Sequence, residues 1–252
     1  MHLPRRNLAT TLALTVLLTS SNFVASAAPK YNVNVFAASS LQSQYSALAQ
    51  KFMAAHPQIK INIAFGSSST LANQIASGAQ VDIFVSADRA SMATVSKEFP
   101  NPSDYLVNQV VLAAPVNSPI EKISDLNKGI KWIQCAHTVP CGIAADSALT
   151  SESTVTTSPV SLELSASSTL AKLLAGAVDA AIVYQTDVKA NQSKLKAIYF
   201  RDLSAASTTY QIGISKSAVS KKNLAASIFL SNLKSKFVLN SLTRAGFQIA
   251  ER

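Results

Sequence analysis

Serine residues occur in two short runs, each placed where a predicted strand ends and a predicted helix begins. The first run is Ser39-Ser40, and the second is Ser67-Ser68-Ser69, which follows Phe65-Gly66. A buried hydroxyl without a partner costs free energy, so consecutive serines are not expected to be core residues. At a helix start, hydroxyl and free backbone N–H groups meet the positive end of the helix dipole, which favours a bound anion. The alternative is that both runs are ordinary N-caps, since serine is common there.

The elements that would position these serines alternate between strand and helix. Strands are predicted at 31–37, 59–65 and 81–85. A stretch with apolar residues at helical spacing follows each of the first two, and a helix that starts at 86–88 follows the third. Pro57 and Gly78 end the first two helices. This alternation predicts a parallel sheet with helices on its faces, and ligands of such sheets bind beyond the carboxyl ends of the strands. Both serine runs lie at those ends, which is the strongest argument from residues alone for a binding site.

The rest of the chain continues the alternation less regularly. Further strands are predicted at 108–114, 131–135, 180–183, 196–200 and 209–215, and further helices at 143–149, 168–175, 224–230 and 237–242. Pro115 ends the strand at 108–114, which we expect to cross into a second lobe. We expect the C-terminal helices to return to the first lobe, which would make that lobe discontinuous.

The N-terminal residues 1–27 have the pattern of a secretory signal. Arg5 and Arg6 supply the basic start, an apolar run follows at 8–18, and Ala25-Ser26-Ala27 forms a cleavage site. We therefore expect an exported protein, periplasmic or associated with the cell surface, whose mature chain begins at Ala28. Since the first cysteine is Cys135, we expect no lipid anchor. An uncleaved leader that acts as a membrane anchor is the alternative.

Length and charge narrow the classes of function. The mature part of the 252 residues is long enough for one large or two modest domains. The net charge of +9 falls to +7 without Arg5 and Arg6, and the remaining basic residues are scattered, with Lys221-Lys222 as the one adjacent pair. Because no aromatic residues interleave with a basic stripe, nucleic-acid binding is not expected.

Seven short motifs follow one another along the chain. They are Phe36-Ala37-Ala38-Ser39-Ser40-Leu41, Phe65-Gly66-Ser67-Ser68-Ser69-Thr70-Leu71-Ala72, Gln74-Ile75, Gly78-Ala79, Asp82-Ile83-Phe84-Val85-Ser86-Ala87-Asp88, Val139-Pro140-Cys141-Gly142 and Ile182-Val183-Tyr184. In this order they resemble the molybdate-binding proteins of ABC transporters, and the resemblance extends from about residue 33 to residue 247. It implies an α/β protein with the two-lobed periplasmic-binding-protein fold of type II. Each lobe is then a mainly parallel sheet flanked by helices, and the ligand cleft lies between the lobes.

The resemblance also implies a domain division and a function. After the signal peptide at 1–27, the first lobe comprises 28–112 plus 206–252, and the second lobe comprises 113–205. The protein is expected to capture molybdate or tungstate and deliver it to the membrane permease of an ABC importer. It is expected to be a monomer without enzymatic activity and without a cofactor other than the oxyanion ligand.

Five residues match the positions that bind the oxyanion in the family. Ser40 and Ser68 would use their hydroxyl and backbone N–H groups, Cys141 and Ala166 their backbone N–H groups, and Tyr184 its hydroxyl. Cys141 stands where the family commonly has alanine. Because the inferred contact comes from the main chain, this change need not remove it. Molybdate is a dianion whose oxygens only accept hydrogen bonds, so a site built from donors suits it.

The two cysteines, His137 and Asp88 have other possible roles. Cys135 and Cys141 lie six positions apart in an exported chain, which favours a structural disulfide that braces the loop at 136–142. Free thiols are an alternative, and so is a zinc site with His137, although two Cys and one His lack a fourth ligand nearby. Asp88 is expected to be a helix N-cap and not a catalytic carboxylate.

Two alternative functions stay open at this point. Sulfate, or another tetrahedral oxyanion, could occupy the same donors, because discrimination would then depend on the size of the cavity. A serine hydrolase is the remote alternative, because neither Ser67 nor Ser68 lies in a G-x-S-x-G motif. A G-x-x-x-x-G-K-[ST] phosphate loop is absent from the sequence, and neither His56 nor His137 has a recognisable catalytic context.

Overall fold

A computed structural model of the chain describes residue 2 and residues 29–251. The predicted signal peptide and its cleavage site lie outside the described residues, apart from His2, and stay predictions. Within the described part of the chain, none of the helices is long and apolar enough to cross a membrane.

The first part of the chain forms the alternating elements that the sequence predicts. In chain order they are β1 (Tyr31–Ala38), a 3-10 turn (Ser39–Leu41), α1 (Gln42–Ala55), β2 (Ile59–Gly66), α2 (Ser68–Ala76), β3 (Ile83–Ser86), α3 (Arg89–Thr94) and the long strand β4 (Ser103–Pro115). β1 pairs in parallel with both β2 and β3, which places the carboxyl ends of all three strands at one edge. The strand predicted at 108–114 begins five residues earlier, at Ser103.

The remaining elements include several short ones that the apolar pattern did not predict. In chain order they are a 3-10 turn (Ile123–Asn127), β5 (Trp132–Cys135), α4 (Pro140–Glu152), β6 (Ser161–Glu163), α5 (Ala166–Leu174), β7 (Ala180–Tyr184), α6 (Gln185–Ala190), β8 (Leu195–Ile198), β9 (Ser207–Ile214), α7 (Lys216–Ser220), α8 (Leu224–Leu233), α9 (Lys236–Arg244) and β10 (Gln248–Ile249). The elements β6, α6, α7 and β10 were not predicted. Each spans six residues or fewer, too few for a periodic signal.

The strands form two sheets that share β4. The strand order is β2-β1-β3-β9-β4-β7-β5-β6, with β8 and β10 also paired to β4. β5 pairs in parallel with β6 and β7, whereas β4 and β9 add antiparallel pairs. We call β2-β1-β3-β9-β4 the first sheet and β4-β7-β5-β6 the second sheet. The predicted α/β class with helix-flanked sheets is confirmed, and the antiparallel pairs arise where the chain passes between the two sheets.

Each sheet is covered by helices on both faces, and the C-terminal helices pack on the first sheet. Phe229 of α8 lies 4.8 Å from Phe52 of α1, measured between ring centroids, in the same buried cluster as Val33 of β1. The opposite face of this sheet carries Phe84 and Phe99. Separate clusters cover the two faces of the second sheet. Each sheet therefore has its own core. Burial of one large apolar side chain in such a core contributes roughly 1.5–3 kcal/mol to stability.

The strand β4 changes partner in its middle. Gln109 is the last residue that pairs with β9 of the first sheet, opposite Ser207, and Val110 is the first that pairs with β7, opposite Tyr184. Asn108 and Gln109 are buried polar residues at this change. The crossing brings the end of β7 close to the first sheet, so two distant parts of the chain can contribute to one site.

The segment between β5 and α4 is shorter and more constrained than the sequence predicted. The loop expected at 136–142 ends before Pro140, which is the first residue of α4. The fixed φ of proline suits this first helical position. The predicted disulfide is confirmed, since Cys135 at the end of β5 is bonded to Cys141 in the first turn of α4. A Cβ atom on Gly142 would lie 1.9 Å from the carbonyl oxygen of Ala136. The loop therefore packs directly against the start of α4.

This close approach makes Gly142→Ala strongly destabilising. The added methyl group would overlap backbone atoms that the disulfide holds in place, so we expect a loss of at least about 2 kcal/mol in the free energy of unfolding. Urea unfolding of the purified protein measures it. Ser147→Ala, on the exposed side of the same helix, is the control and should change stability by less than about 0.5 kcal/mol. An unchanged urea midpoint for Gly142→Ala would contradict the packing described.

Candidate functional site

All five residues of the predicted oxyanion site line one small cavity. Ser40 and Ser68 come from the first sheet's side, and Cys141, Ala166 and Tyr184 come from the second. The space open to the centre of a water molecule is about 10 Å³, whereas pockets for drug-sized organic ligands are roughly 300–1,000 Å³. All five residues are buried. The cavity is therefore too small for an organic ligand of that size, and the role of these residues as ligands stays a prediction.

Three of the five residues lie at helix starts, so backbone donors are available at the cavity. Ser68 is the first residue of α2, Ala166 the first of α5, and Cys141 the second of α4. The N–H groups of a helix's first turn have no acceptor within the helix. The positive ends of these helix dipoles add a diffuse positive potential at the same point. An anion in the cavity would meet both contributions at once.

In the second serine run, the neighbouring residues Ser67 and Ser68 make different contacts. Ser67 is the N-cap of α2, because its hydroxyl oxygen accepts a hydrogen bond from the backbone N–H of Thr70. The hydroxyl oxygen of Ser68 instead accepts from the backbone N–H of Ala87, at 2.8 Å. The N-cap interpretation is therefore right for Ser67 and wrong for Ser68. With its oxygen occupied in this way, Ser68 retains its own proton for a ligand.

The first serine run, unlike Ser67, does not act as a helix cap. The turn at Ser39–Leu41 has no capping hydrogen bond from a side chain. The hydroxyl of Ser40 lies 2.6 Å from the hydroxyl of Tyr210, a fully buried residue of β9. Ser40 is thus held by a contact across 170 positions of sequence, which a local helix-cap interpretation could not anticipate.

Tyr184 presents a protonated hydroxyl to the cavity. It is the last residue of β7, and among the described residues its hydroxyl makes no hydrogen bond of ordinary geometry, although it interacts with the nearby hydroxyl of Tyr210. Burial raises the pKa of Tyr184 well above its usual value, and burial also raises the pKa of Tyr210. Both phenols therefore stay protonated at neutral pH and can donate. A buried hydroxyl without a well-formed hydrogen bond is costly, and unlike the similarly unpartnered hydroxyl of Tyr45, that of Tyr184 belongs to a residue that lines the cavity, as the ligand prediction requires.

The cavity has no charged side chain among its described lining residues. A carboxyl group lies behind Tyr184, where Asp187 accepts a hydrogen bond from the backbone N–H of Tyr184 at 3.1 Å. Burial raises the pKa of Asp187 to about 7, so this group is only partly ionised at neutral pH. The positive character of the site therefore comes from dipoles and not from lysine or arginine.

The contacts of the cysteines, His137 and Asp88 decide between the roles that the sequence left open for them. The disulfide removes both thiols as metal ligands, so the zinc and free-thiol alternatives are wrong. His137 instead contacts Asp146 at 2.7 Å. Across the residues that the structure describes, we find no group of three or more metal-ligating side chains. Asp88 is confirmed as an N-cap, since it accepts from the backbone N–H of Ser91.

Sequence reasoning missed the residues that hold the predicted ligands in place. Tyr210 contacts Ser40, and Asn108 and Thr186 continue the same network of buried hydrogen bonds. The backbone of Ala87 holds Ser68. The only local signal is that Tyr210 is a single aromatic residue within a polar part of its strand.

Comparison with known proteins identifies the family of the chain and supports its fold. The family model described as bacterial extracellular solute-binding protein matches residues 33–248. The protein named molybdate-binding protein ModA of Mycobacterium tuberculosis strain H37Rv is 34% identical over 191 residues, which cover 73% of this chain and 73% of that protein. These values are high enough to place the chain in a family.

Solved structures agree in fold. The periplasmic molybdate-binding protein of Azotobacter vinelandii superposes with a TM-score of 0.75 at 20% identity, covering 87% of this chain and all of that one. The sulfate-binding protein SubI of Mycobacterium tuberculosis superposes with a TM-score of 0.72 at 15% identity, covering 88% of each chain. At such low identity these two structures inform on the fold alone. Taken with the family match over residues 33–248, they lead to one conclusion: the chain belongs to the bacterial extracellular solute-binding proteins.

Proposed function

We propose that this protein captures molybdate, and also tungstate, outside the cytoplasm and delivers it to the permease of an ABC importer. The observation that carries the proposal is the single small cavity lined by Ser40, Ser68, Cys141, Ala166 and Tyr184. It offers hydrogen-bond donors without any charged lining residue. The relatives named molybdate-binding proteins support the choice of anion.

Hydrogen bonds alone can supply the affinity that such a protein needs. A bond from a hydroxyl or N–H group to an ionised acceptor contributes roughly 1.5–3 kcal/mol. This contribution is already net of the hydrogen bonds exchanged with water, so a handful of these bonds reaches the roughly 8 kcal/mol that micromolar binding requires. Donors that are already fixed in direction lose little entropy when the anion enters.

We further propose that the two sheets belong to two lobes that close on the anion. The division predicted from the sequence assigns 28–112 and 206–252 to one lobe and 113–205 to the other. The separate cores of the two sheets, and the change of partner within β4, support this division. Donors from the second lobe complete the site only when the lobes approach, so the bound anion favours the closed state. The closed monomer is then the form that docks on the permease, and no catalytic step is involved.

Titration of the protein from residue 28 onward with four anions tests the proposed function. Isothermal calorimetry should give one-to-one binding of molybdate and tungstate with dissociation constants below about 1 μM. Sulfate and phosphate should bind far more weakly. Tight binding of sulfate in place of molybdate would keep the fold and cavity but assign the protein to the alternative oxyanion. Lack of binding by all four anions would reject the proposal.

Removal of the Ser68 hydroxyl should weaken molybdate binding by at least about tenfold, which corresponds to one lost charge-assisted hydrogen bond. The neighbouring Ser69→Ala is the matched control, since Ser69 does not line the cavity, and its affinity should stay within about twofold of the wild type. Ser68→Ala also leaves the N–H of Ala87 without its partner, so thermal unfolding without ligand must confirm that the variant is folded. Equal affinities for Ser68→Ala and Ser69→Ala would count against the site.

A further inference from the structure

A groove at one end of the first sheet lies opposite the oxyanion cavity. Its volume is about 600 Å³, within the range of sites for small organic molecules, and its lining includes Tyr31 and Ile59, the first residues of β1 and β2. These two residues pair with each other, whereas the cavity lies at the other end of the same strands. The eight residues of β1 span about 25 Å, so the groove belongs to a separate face of the protein.

The groove has a net positive charge. Lys30, Lys221 and Lys222 line it, and all three are exposed. None of them forms an ion pair with a described residue, and no acidic residue is among the described lining residues. Asp82 lies behind the groove, where it accepts a hydrogen bond from the side chain of Asn223 at 3.1 Å. The three ammonium groups are therefore available to an anionic partner.

Large apolar side chains lie exposed beside these lysines. Tyr31 is 55% exposed, Leu224 70% and Ile228 38%, and all three line the groove. Lysines next to exposed apolar side chains suit the surface of an anionic bilayer. The ammonium groups attract the lipid phosphates, and the apolar side chains enter the region between the headgroups and the acyl chains.

Lys222 occupies a backbone position that favours glycine. Its φ is 51°, in the left-handed region. It follows α7 in a turn where its own N–H bonds to the carbonyl of Val219 and the N–H of Asn223 bonds to that of Ala218. The same pair of bonds ends α2, α5 and α9, with glycine in this position: Gly78, Gly176 and Gly246. A lysine is less favourable than glycine there, so stability does not account for its presence at the groove.

The chain enters the described fold at this groove. Lys30 is the second residue of the range 29–251, and the apolar run of the predicted signal ends at Leu18. The stretch from Leu18 to Lys30 reaches about 40 Å at most, so a leader in the membrane would keep the groove close to the bilayer. After the predicted cleavage, the α-amino group of Ala28 adds a further positive charge next to the groove.

We propose that this face binds the surface of a bilayer that contains anionic phospholipids, with the three lysines at the lipid phosphates and Tyr31 and Leu224 among the headgroups. In this orientation the oxyanion cavity lies at the end of the first sheet that points away from the bilayer. Each lysine near an anionic surface raises the affinity by about fivefold, so the contact is weak and reversible. The proposal goes beyond anion capture and does not depend on which anion the cavity holds.

Co-sedimentation of the protein from residue 28 onward with phospholipid vesicles tests the proposal. Vesicles of phosphatidylcholine and phosphatidylglycerol in equal parts should bind at least about tenfold more protein than vesicles of phosphatidylcholine alone. An increase in NaCl from about 0.05 M to about 0.5 M should release the protein, because salt screens the lysines from the phosphates. Equal binding to the two kinds of vesicle, or no binding to either, would overturn the inference.

A double variant, Lys221→Gln with Lys222→Gly, removes two of the charges and should lower partitioning onto the anionic vesicles by at least about tenfold. Glycine suits the φ of position 222, so this variant should melt about 1–3 °C above the wild type while it binds less. Lys131→Gln with Lys194→Gln is the matched control, since both lysines are exposed and lie outside the groove. Equal weakening in the two double variants would show that net charge alone drives binding, and would overturn the inference.

Leu224→Gln separates a bilayer from a soluble polyanion. It keeps every charge but removes an exposed apolar side chain, so partitioning onto anionic vesicles should fall by about threefold. Leu203→Gln, at a leucine 48% exposed outside the groove, is the control and should bind as the wild type does. If Leu224→Gln left partitioning unchanged while the double lysine variant weakened it, the partner would be a polyanion and not a bilayer. A protein that dimerises through the groove in sedimentation velocity without vesicles would likewise contradict the proposal.

Discussion

The proposed function places one electrostatic constraint on the structure, the need to hold a buried dianion without a cationic side chain. Removal of such a charge from water costs many kcal/mol unless hydrogen-bond donors replace the lost hydration. The described lining of the cavity carries no charge, so under the proposed function its helix starts supply these donors and a favourable potential. This explains why buried hydroxyls with their oxygens already occupied, such as that of Ser68, lie beside N–H groups without helical acceptors.

The same constraint accounts for the architecture around the cavity. Donors that face one another across a small ion must come from opposite directions, and a single parallel sheet places its helix starts along one edge only. The long strand β4 solves this problem because it pairs first with β9 and then with β7. The disulfide between Cys135 and Cys141 ties the start of α4 to the second sheet, and Cys135 also contacts Thr169 of α5. Two of the helix starts are therefore fixed relative to each other.

Much of this arrangement could be predicted from the sequence because it is local. The strand–helix alternation, the serine runs, the N-cap at Asp88 and the cysteine pair are all set by residues within a few positions of one another. Contacts across the chain were not predictable, since the partners Ser40 and Tyr210 are 170 positions apart and have no joint signature. Single-sequence periodicity also missed the shortest elements and placed the start of α4 three residues late, because Pro140 stands in a stretch that reads as a loop.

The central claim is that both sheets contribute donors to one buried oxyanion. A crystal structure of the protein with tungstate tests it most directly, because tungsten is located by its anomalous scattering independently of the model. The account predicts one tungsten peak in the cavity, with oxygens in hydrogen-bond distance of Ser40, Ser68 and Tyr184 and of the backbone nitrogens of Cys141 and Ala166. A peak on the surface, or one bound by residues of a single sheet, would contradict it.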